Sequence, residues 1–469
     1  MIPINLPPSL LASLLAVAGE HKQECYLVGG YVRDLLLQRS VKDVDILVLG
    51  SGIEFARNLA DRLGNHPQVH YYGKYGTAMM QTHGLTVEFV GARKESYRSD
   101  SRKPRVENGS LEDDLDRRDF TVNALAIQIW PETGRLLDRH GGIKHLNQGI
   151  ISTPADPAAT FSDDPLRMMR AIRFACQLGF AIEERTQQGI VESVHRLDII
   201  SAERIADELN KIVASPRPDT GFEYLLKTGL LERFFPEMAA LHGVEIVHGM
   251  GHKDNFYHTL QVLMNMLPYN PPLWLRWAAL LHDIAKPPTR KFDSKTGWTF
   301  HGHEDLGARM VPQIFRRLKL PLNDEMRKVQ KLVKLHLRPI ALTKTTVTDS
   351  AVRRLIFEAG EEVDALLVLC RADITSKNEQ KVRRYLENFS LLEEKLRMVE
   401  QGDRMRLWQP PVDGNEIMTR YHLPAGPRVG MLKNALREAI LEGEIENNRE
   451  DALNFLDKKA KEKGLTAFN

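Results

Sequence analysis

Residues 26–49 read YLVGGYVRDLLLQRSVKDVDILVL, and the fold of the first third of the chain follows from this stretch. A short apolar run, Tyr26 to Val28, has the character of a buried strand and is broken by Gly29 and Gly30. One or two amphipathic turns follow (Val32, Leu35, Leu36), and a second apolar strand begins with Asp43 and Asp45. Residues two apart on a strand point to the same side. The two carboxylates therefore aim at one point, as a site for a hard divalent cation requires. Paired glycines let backbone N–H groups approach a phosphate, and Arg33 can clamp it. A phosphate cradle one strand away from metal-binding carboxylates outlines a phosphoryl-transfer site.

Gly29, Gly30, Val32, Arg33, Asp34, Asp43 and Asp45 fall in the order GGxVRD…DxD. This resembles the head domain of the nucleotidyltransferase superfamily, in the group that holds tRNA CCA-adding enzymes and bacterial poly(A) polymerases. The resemblance implies an α/β head with a mixed sheet, Mg²⁺ on Asp43 and Asp45, and triphosphate bound by Gly29, Gly30 and Arg33. It also implies a third carboxylate on a neighbouring strand, for which Glu88 in VEFV is the candidate.

The chain has 469 residues, 42% hydrophobic and 27% charged, a composition suited to about three or four domains. A formal charge of +2 means that any nucleic-acid binding rests on local basic patches rather than on a global field. Cys25, Cys176 and Cys370 lie far apart in apolar contexts with no CxxC, which favours buried thiols over a disulfide or zinc framework. The first 22 residues predict an amphipathic helix capped by Ser9 rather than a signal peptide. No stretch approaches the run of about 20 apolar residues that spans a membrane, and a cytoplasmic protein is expected.

Residues 1–150 read as mixed α/β, with a helix over 52–63 and strands near 68–72, 77–81 and 86–90. The run RKESYRSDSRKPR, residues 93–105, is polar and aperiodic and is expected to be a mobile loop, with contact to the phosphate of an RNA or triphosphate as its functional reading. In LEDDLDRRDFTVNALA, residues 111–126, Arg117 and Arg118 can reach triphosphate oxygens. Asp119 and Asn123, four apart on one predicted helical face, can bind ribose hydroxyls. RRDFTVNA matches the family's ribose-recognition motif. LLDRHGG at 136–142 stands where the family carries a D-P-F-G-G turn, keeping Asp138, Gly141 and Gly142 but not its middle.

From residue 157 the pattern is helical, and 1–150, 151–240, 241–400 and 401–469 are the expected head, all-α neck, HD domain and tail. In FSDDPLRMMRAIRF, Asp163 and Asp164 are expected to open a helix, with Asp164, Arg167, Arg170 and Arg173 spaced by threes. Cytosine and adenine both present an amine donor beside a ring-nitrogen acceptor, which one carboxylate and one guanidinium complement. Uracil and guanine present the reverse order and leave buried groups mispaired. The segment resembles the family's EDPLRMLRAxRF base-recognition motif, with Asp163 in place of Glu; the resemblance implies that Asp164 and Arg167 read the base, with Arg170 and Arg173 nearby. SAERIADEL at 201–209 is a capped amphipathic helix, and the apolar spacing over 216–240 is core.

A second constellation follows: His258, the pair His282–Asp283 in an apolar run, His303, His336 and Asp373. Adjacent His and Asp on a buried helix form a metal-ligand pair. Together these residues resemble the H…HD…D pattern of HD-domain phosphohydrolases. In that resemblance His258, His282, Asp283 and Asp373 hold one divalent metal, His303 and His336 hold a second or bind phosphate, and Lys286 neutralises phosphate charge. The tail ends in a basic stretch, LDKKAKEKG. The leading expectation is template-independent addition of CCA to the tRNA 3′ end from CTP and ATP with Mg²⁺, with no membrane and no obligate protein partner. Poly(A), A-only or CC-only addition, or a phosphohydrolase working through the HD cluster, are the alternatives.

Overall fold

The computed structural model describes residues 1–64, 66–73, 76–98, 101–343, 348–376, 378–403 and 409–465. The chain forms two compact units, 1–236 and 237–469. In the first, helix α1 (Pro8–His21) precedes β1 (Cys25–Val28), α2 (Gly30–Leu36), β2 (Asp43–Val48) and α3 (Gly52–Arg62). Strands β3 (Val69–Tyr72), β4 (Thr77–Thr82), β5 (Leu85–Gly91), β6 (Arg93–Arg98) and β7 (Ser101–Asn108) follow, then α4 (Leu111–Asp116), β8 (Leu125–Trp130) and β9 (Leu136–Asp138). The main sheet has seven strands in the order β3-β4-β5-β2-β1-β8-β9, with β2 and β5 parallel and the other neighbours antiparallel.

Alternation on β2 decides what each face does. Val44, Ile46 and Val48 join Leu10, Leu14, Phe55, Leu59 and Phe89 in a core under α1 and α3. Leu47 turns the other way and packs with Tyr26, Val28, Ala126, Leu111 and Leu115, so α4 covers the second face near β1 and β8. All four residues of β1 are buried, which explains why that run carries no polar alternation.

Several local expectations need correction. Residues 93–105 are not an irregular loop: β6 and β7 pair as an antiparallel hairpin, while positions 99 and 100 lie outside the described residues. Backbone pairing satisfies a polar sequence as readily as solvent does. Helix α1 is capped by Pro7 without a side-chain bond, and Ser9 Oγ instead meets His83 Nε2 at 2.9 Å.

The helical part of the first unit contains α5 (Gly142–Gln148), α6 (Pro157–Asp163), α7 (Leu166–Leu178), α8 (Glu184–Ser193) and α9 (Ala202–Val213). Asp163 closes α6 instead of opening α7, and Asp164 is extended in the break because a residue before proline avoids the helical region. Asp164 Oδ1 still accepts from the Leu166 N–H (3.2 Å), serving the start of α7 from outside it. Ser201 stands at the N-cap of α9 but makes no side-chain cap bond. The turn at Asp138 keeps its function despite the altered middle: its carboxylate accepts from the N–H groups of Gly142 (2.7 Å) and Ile143 (3.0 Å), while Arg139 and His140 bind Asp116.

The second unit is helical, with two short hairpins, Ile246–Val247 with Met250–Gly251 and Lys291–Asp293 with Gly297–Thr299. Its helices Asn255–Met266, Leu273–Leu281, His303–Arg317, Asp324–Leu335 and Val363–Asp373 pack around fully buried Phe256, Trp277 and Phe315. Cys25, Cys176 and Cys370 are buried free thiols. No helix among the described residues is long and apolar enough to cross a membrane.

Candidate active site and candidate metal centre

Asp45 lies in register between Val28 on β1 and Glu88 on β5. The next residue after β1, Gly29, has φ +70°, and a Cβ there would stand 3.0 Å from both Asp45 Oδ2 and Arg118 Nη1. Glycine is thus required twice, by backbone conformation and by the close approach of a carboxylate and a guanidinium. Burial lifts the Asp45 carboxyl above its ordinary range, partly opposed by Arg118 and reinforced by Asp43 and Asp114. Glu88 is raised as well, by burial and by the charge of Asp45. Such a set gains from a bound cation, which relieves both causes. Among the described residues Asp43, Asp45 and Glu88 do not form a tight three-donor cluster. An open pair suits Mg²⁺, which keeps water and phosphate ligands of its own.

Arg118 is held by a residue that the motif reading passed over. Asp114 is fully buried, with Oδ2 accepting from Arg118 Nη2 (2.8 Å) and Nε (3.1 Å) and Oδ1 accepting from Arg117. Burial pushes its carboxyl up, but Arg118 and Arg117 outweigh this and leave it below the ordinary range. The signal was present in DDLDRRD, where Asp114 precedes the two arginines by three and four positions.

Asp119 and Asn123 do not lie along a helix. Helix α4 ends at Asp116, and residues 121–123 form a single 3₁₀ turn. Both side chains turn into a buried network. Asp119 Oδ1 accepts from the Phe120 N–H (2.8 Å) and from Asn123 Nδ2 (3.0 Å), while Oδ2 accepts from Arg170 Nε (2.8 Å). Arg33 Nη1 donates to Asn123 Oδ1 (2.7 Å), and Asp34 accepts the rest of that guanidinium. Burial alone would raise Asp119; Arg170 and the Asn123 hydrogen bond bring it down to about 2. The guanidinium groups of Arg33, Arg170 and Arg173 lie 5.0, 5.4 and 4.0 Å from the Phe174 ring centroid, so the arginines of α2 and α7 share one aromatic support. Arg173 is tied to buried Glu208 of α9 at 2.5 Å.

Asp164 and Arg167 are joined through the backbone, Arg167 N–H to Asp164 O (2.9 Å). Their side chains also hold fixed partners: Arg204 lies 3.5 Å from Asp164 Oδ2, and Arg167 Nη2 donates to the Arg117 carbonyl (2.7 Å). This last bond links α7 to the arginine pair beside Asp45.

In the second unit the four histidines and two aspartates meet. Nε2 of His258 is 3.0 Å from Asp373 Oδ1 and 3.4 Å from Asp283 Oδ2; Nε2 of His282 is 3.1 Å from Asp283 Oδ2. On the other side of Asp283, Oδ1 faces Nε2 of His303 (3.2 Å) and His336 (3.8 Å). Nδ1 of His282, His303 and His336 lies 2.7 Å from the carbonyls of Ala279, Phe300 and Val333 respectively. A carbonyl cannot donate, so each Nδ1 carries the proton and each neutral ring turns its Nε2 lone pair to the centre. His258 Nδ1 is held at 3.1 Å by Thr375 Oγ1.

Two ligand sets share Asp283: His258, His282 and Asp283, and Asp283, His303 and His336. His282 Nε2 is buried and makes no aligned hydrogen bond, an orphaned acceptor that a cation would satisfy. Imidazole and carboxylate donors around one point fit a divalent transition metal. Burial would raise Asp283, but the charge that a protonated His282 would carry and the Lys286 ammonium, its Nζ 2.6 Å away, hold it well below the ordinary range. Burial and His282 push His336 down to about 4.

Family models match the chain in three places: Poly A polymerase head domain over 25–152, probable RNA and SrmB-binding site of polymerase A over 179–241, and HD domain over 255–378. An A-adding tRNA nucleotidyltransferase of Deinococcus radiodurans is 35% identical over 345 residues, 72% of this chain and 76% of the relative. The chain belongs to the tRNA nucleotidyltransferase family. A CCA-adding enzyme of Geobacillus sp. is 31% identical to this nucleotidyltransferase over 435 residues, 92% of each chain. The crystal structure of the Bacillus stearothermophilus CCA-adding enzyme in complex with CTP superposes with a TM-score of 0.66 at 25% identity, covering 98% of this chain and 99% of that one. The mixed-sheet head and the HD domain of this nucleotidyltransferase are those that its relatives carry.

Proposed function

We propose that this nucleotidyltransferase adds C, C and A to the 3′ end of tRNA from CTP and ATP without a template, at a head site that uses Mg²⁺. The observation that carries the reading is the close approach of Asp45 Oδ2 and Arg118 Nη1 to Gly29, where an added Cβ would stand 3.0 Å from each. Asp43 and Asp45 would hold Mg²⁺, which when bound neutralises charge on the triphosphate and the entering oxygen. Gly29, Gly30 and Arg118 bind the triphosphate, with Arg118 kept in place by Asp114. Arg33, Asp119, Asn123, Arg170 and Arg173 form the wall behind the nucleotide. Asp164 and Arg167 offer the acceptor and donor that select C and A.

The A-adding relative, at higher identity over a shorter span, supports a second reading in which only the last nucleotide is added. In the second unit, His258, His282, Asp283 and Asp373 would hold one divalent metal, with His303 and His336 sharing Asp283 around a second. Such an ion supplies Lewis acidity for phosphoester hydrolysis. Lys286 neutralises phosphate charge there. We assign head, neck, HD domain and tail to 1–150, 151–240, 241–400 and 401–469, in a cytoplasmic protein.

The test is incubation of the protein and Mg²⁺ with tRNA lacking its 3′ end and each labelled nucleoside triphosphate. Two C then one A, with U and G refused, is the expected product. Addition of A alone, and only to tRNA ending in CC, establishes the second reading. Long A tracts on unrelated RNA, or no incorporation, overturn both.

A further inference from the structure

The sheet face that carries Asp45 continues away from the triphosphate side. Asp45 is opposite Glu88, Glu88 opposite Met79, and Met79 opposite His70; one row along, Leu47, Val90, Thr77 and Tyr72 align. The reverse face of these strands is the packed core, with Val87, Phe89, Ala78 and Met80 buried. Tyr71 points to that side, its ring 5.8 Å from the Arg57 guanidinium of α3. Tyr72 therefore points to the carboxylate side. Helix α4 covers that side near β1, β2 and β8. Over β5, β4 and β3 it opens into a cleft of about 400 Å³ lined by Tyr72, Thr77, Met79, Glu88 and Arg93. The Tyr72 residue is 47% exposed.

Phosphoryl transfer sets the entering and leaving oxygens roughly in line. Gly29 and Arg118 stand on the β1 side of Asp45, so pyrophosphate leaves toward β1 and the acceptor hydroxyl must enter from β5. The cleft lies on that side, its size within the roughly 300–1,000 Å³ usual for small-ligand sites. The acceptor end also changes at every addition, so its holder has to accept any base. An aromatic face does this, because every base has a π-face.

We propose that the cleft receives the terminal nucleoside of the acceptor RNA, with Tyr72 stacking on its base, Met79 packing beneath and Arg93 placed for the adjoining phosphate. The incoming triphosphate occupies the other side of Asp45. This assignment rests on the function proposed above.

The test uses the full chain and an acceptor minihelix with 2-aminopurine as its 3′-terminal base, without nucleoside triphosphate. Wild-type protein is expected to quench the fluorescence, Tyr72→Ala to bind with little quenching, and Tyr72→Trp to retain it. In steady state Tyr72→Ala should raise the KM for the minihelix about tenfold, from the worth of one base–aromatic stack, and leave the KM for CTP and ATP unchanged. A raised nucleotide KM with unchanged acceptor KM would mean that the cleft holds the incoming nucleotide, and overturns the assignment. So does quenching that survives in Tyr72→Ala with acceptor KM within about twofold of wild type, a change too small for a lost stack. Quenching is read without turnover, so absence of incorporation by the wild type refutes the proposed function separately.

Discussion

Replacing Asp119 by Asn tests whether the RRDFTVNA motif acts through the buried network. Asn keeps the shape and an oxygen for the Phe120 N–H, but removes the charge that faces Arg170 at 2.8 Å. The folded carboxyl is at about 2 against an ordinary 3.8. At 1.36 kcal/mol per pH unit, that gap contributes about 2.5 kcal/mol of stability at neutral pH. Because the folded value is the lower one, the contribution is whole above the unfolded pKa and is lost as pH falls through the folded one. It stays nearly whole at pH about 4 and drops by about half near pH 3. Asp119→Asn should therefore unfold more easily by about 2.5 kcal/mol at pH 7, with a smaller deficit toward pH 3. The Asp119 side chain is only 8% exposed, so solvent screening takes little from this figure, whereas the partly exposed Arg170 rehydrates and keeps the loss below the extreme for a broken buried pair. Hydrogen-exchange mass spectrometry of peptides over 117–130 and 166–178 in a urea series reads the first unit apart from the second. A variant within about 0.5 kcal/mol of wild type, the size of an ordinary surface change, would refute the network argument. If that variant also used 2′-deoxy nucleotides more readily, Asp119 would be a ribose contact instead.

Asp43→Ala should reduce nucleotide incorporation on the order of 10³-fold while phosphohydrolysis continues, and His282→Ala should do the reverse; paired assays on both variants check this. Gly29→Ala should keep the fold and lose most incorporation, because its methyl would press on Asp45 and Arg118 at 3.0 Å; circular dichroism and labelled-nucleotide assays read the two effects. Divalent metal at about 100 times its Kd should stabilise the second unit by about 2.7 kcal/mol, an increment removed by chelation and missing in His282→Ala. At the head site, Asp45 and Glu88 bind protons more tightly than ordinary carboxylates, so the apparent affinity for Mg²⁺ should fall as pH is lowered through a range above the usual carboxylate values; a Mg²⁺ titration of incorporation at several pH values measures it.

Elements whose period or local chemistry is self-contained can be read from the chain alone. The buried run at 26–28, the strand that begins at Asp43 and the apolar spacing of the helices were legible because each is a local pattern of what must leave water. The His and Asp set at 258–373 was legible as a candidate ligand set through its residue types and its resemblance to the H…HD…D pattern, and the structure brings these side chains together. Tertiary structure decided which way polar side chains face. Asp119 and Asn123 read as neighbours on one helical face, but Arg33 and Arg170, 86 and 51 positions from Asp119, satisfy them in the interior. Asp114 looked like one acid among several, and only burial beneath two arginines gives it the task of fixing Arg118. The polar stretch at 93–98 pairs with 101–108 because backbone hydrogen bonds need no apolar side chains, so hydropathy carried no sign of them. The order of strands β3-β4-β5-β2-β1 is equally non-local, and it alone puts Glu88 beside Asp45 and Tyr72 on the same face beyond it. A sheet's register joins residues far apart in the chain, and a one-dimensional pattern holds no record of which strand will lie next to which.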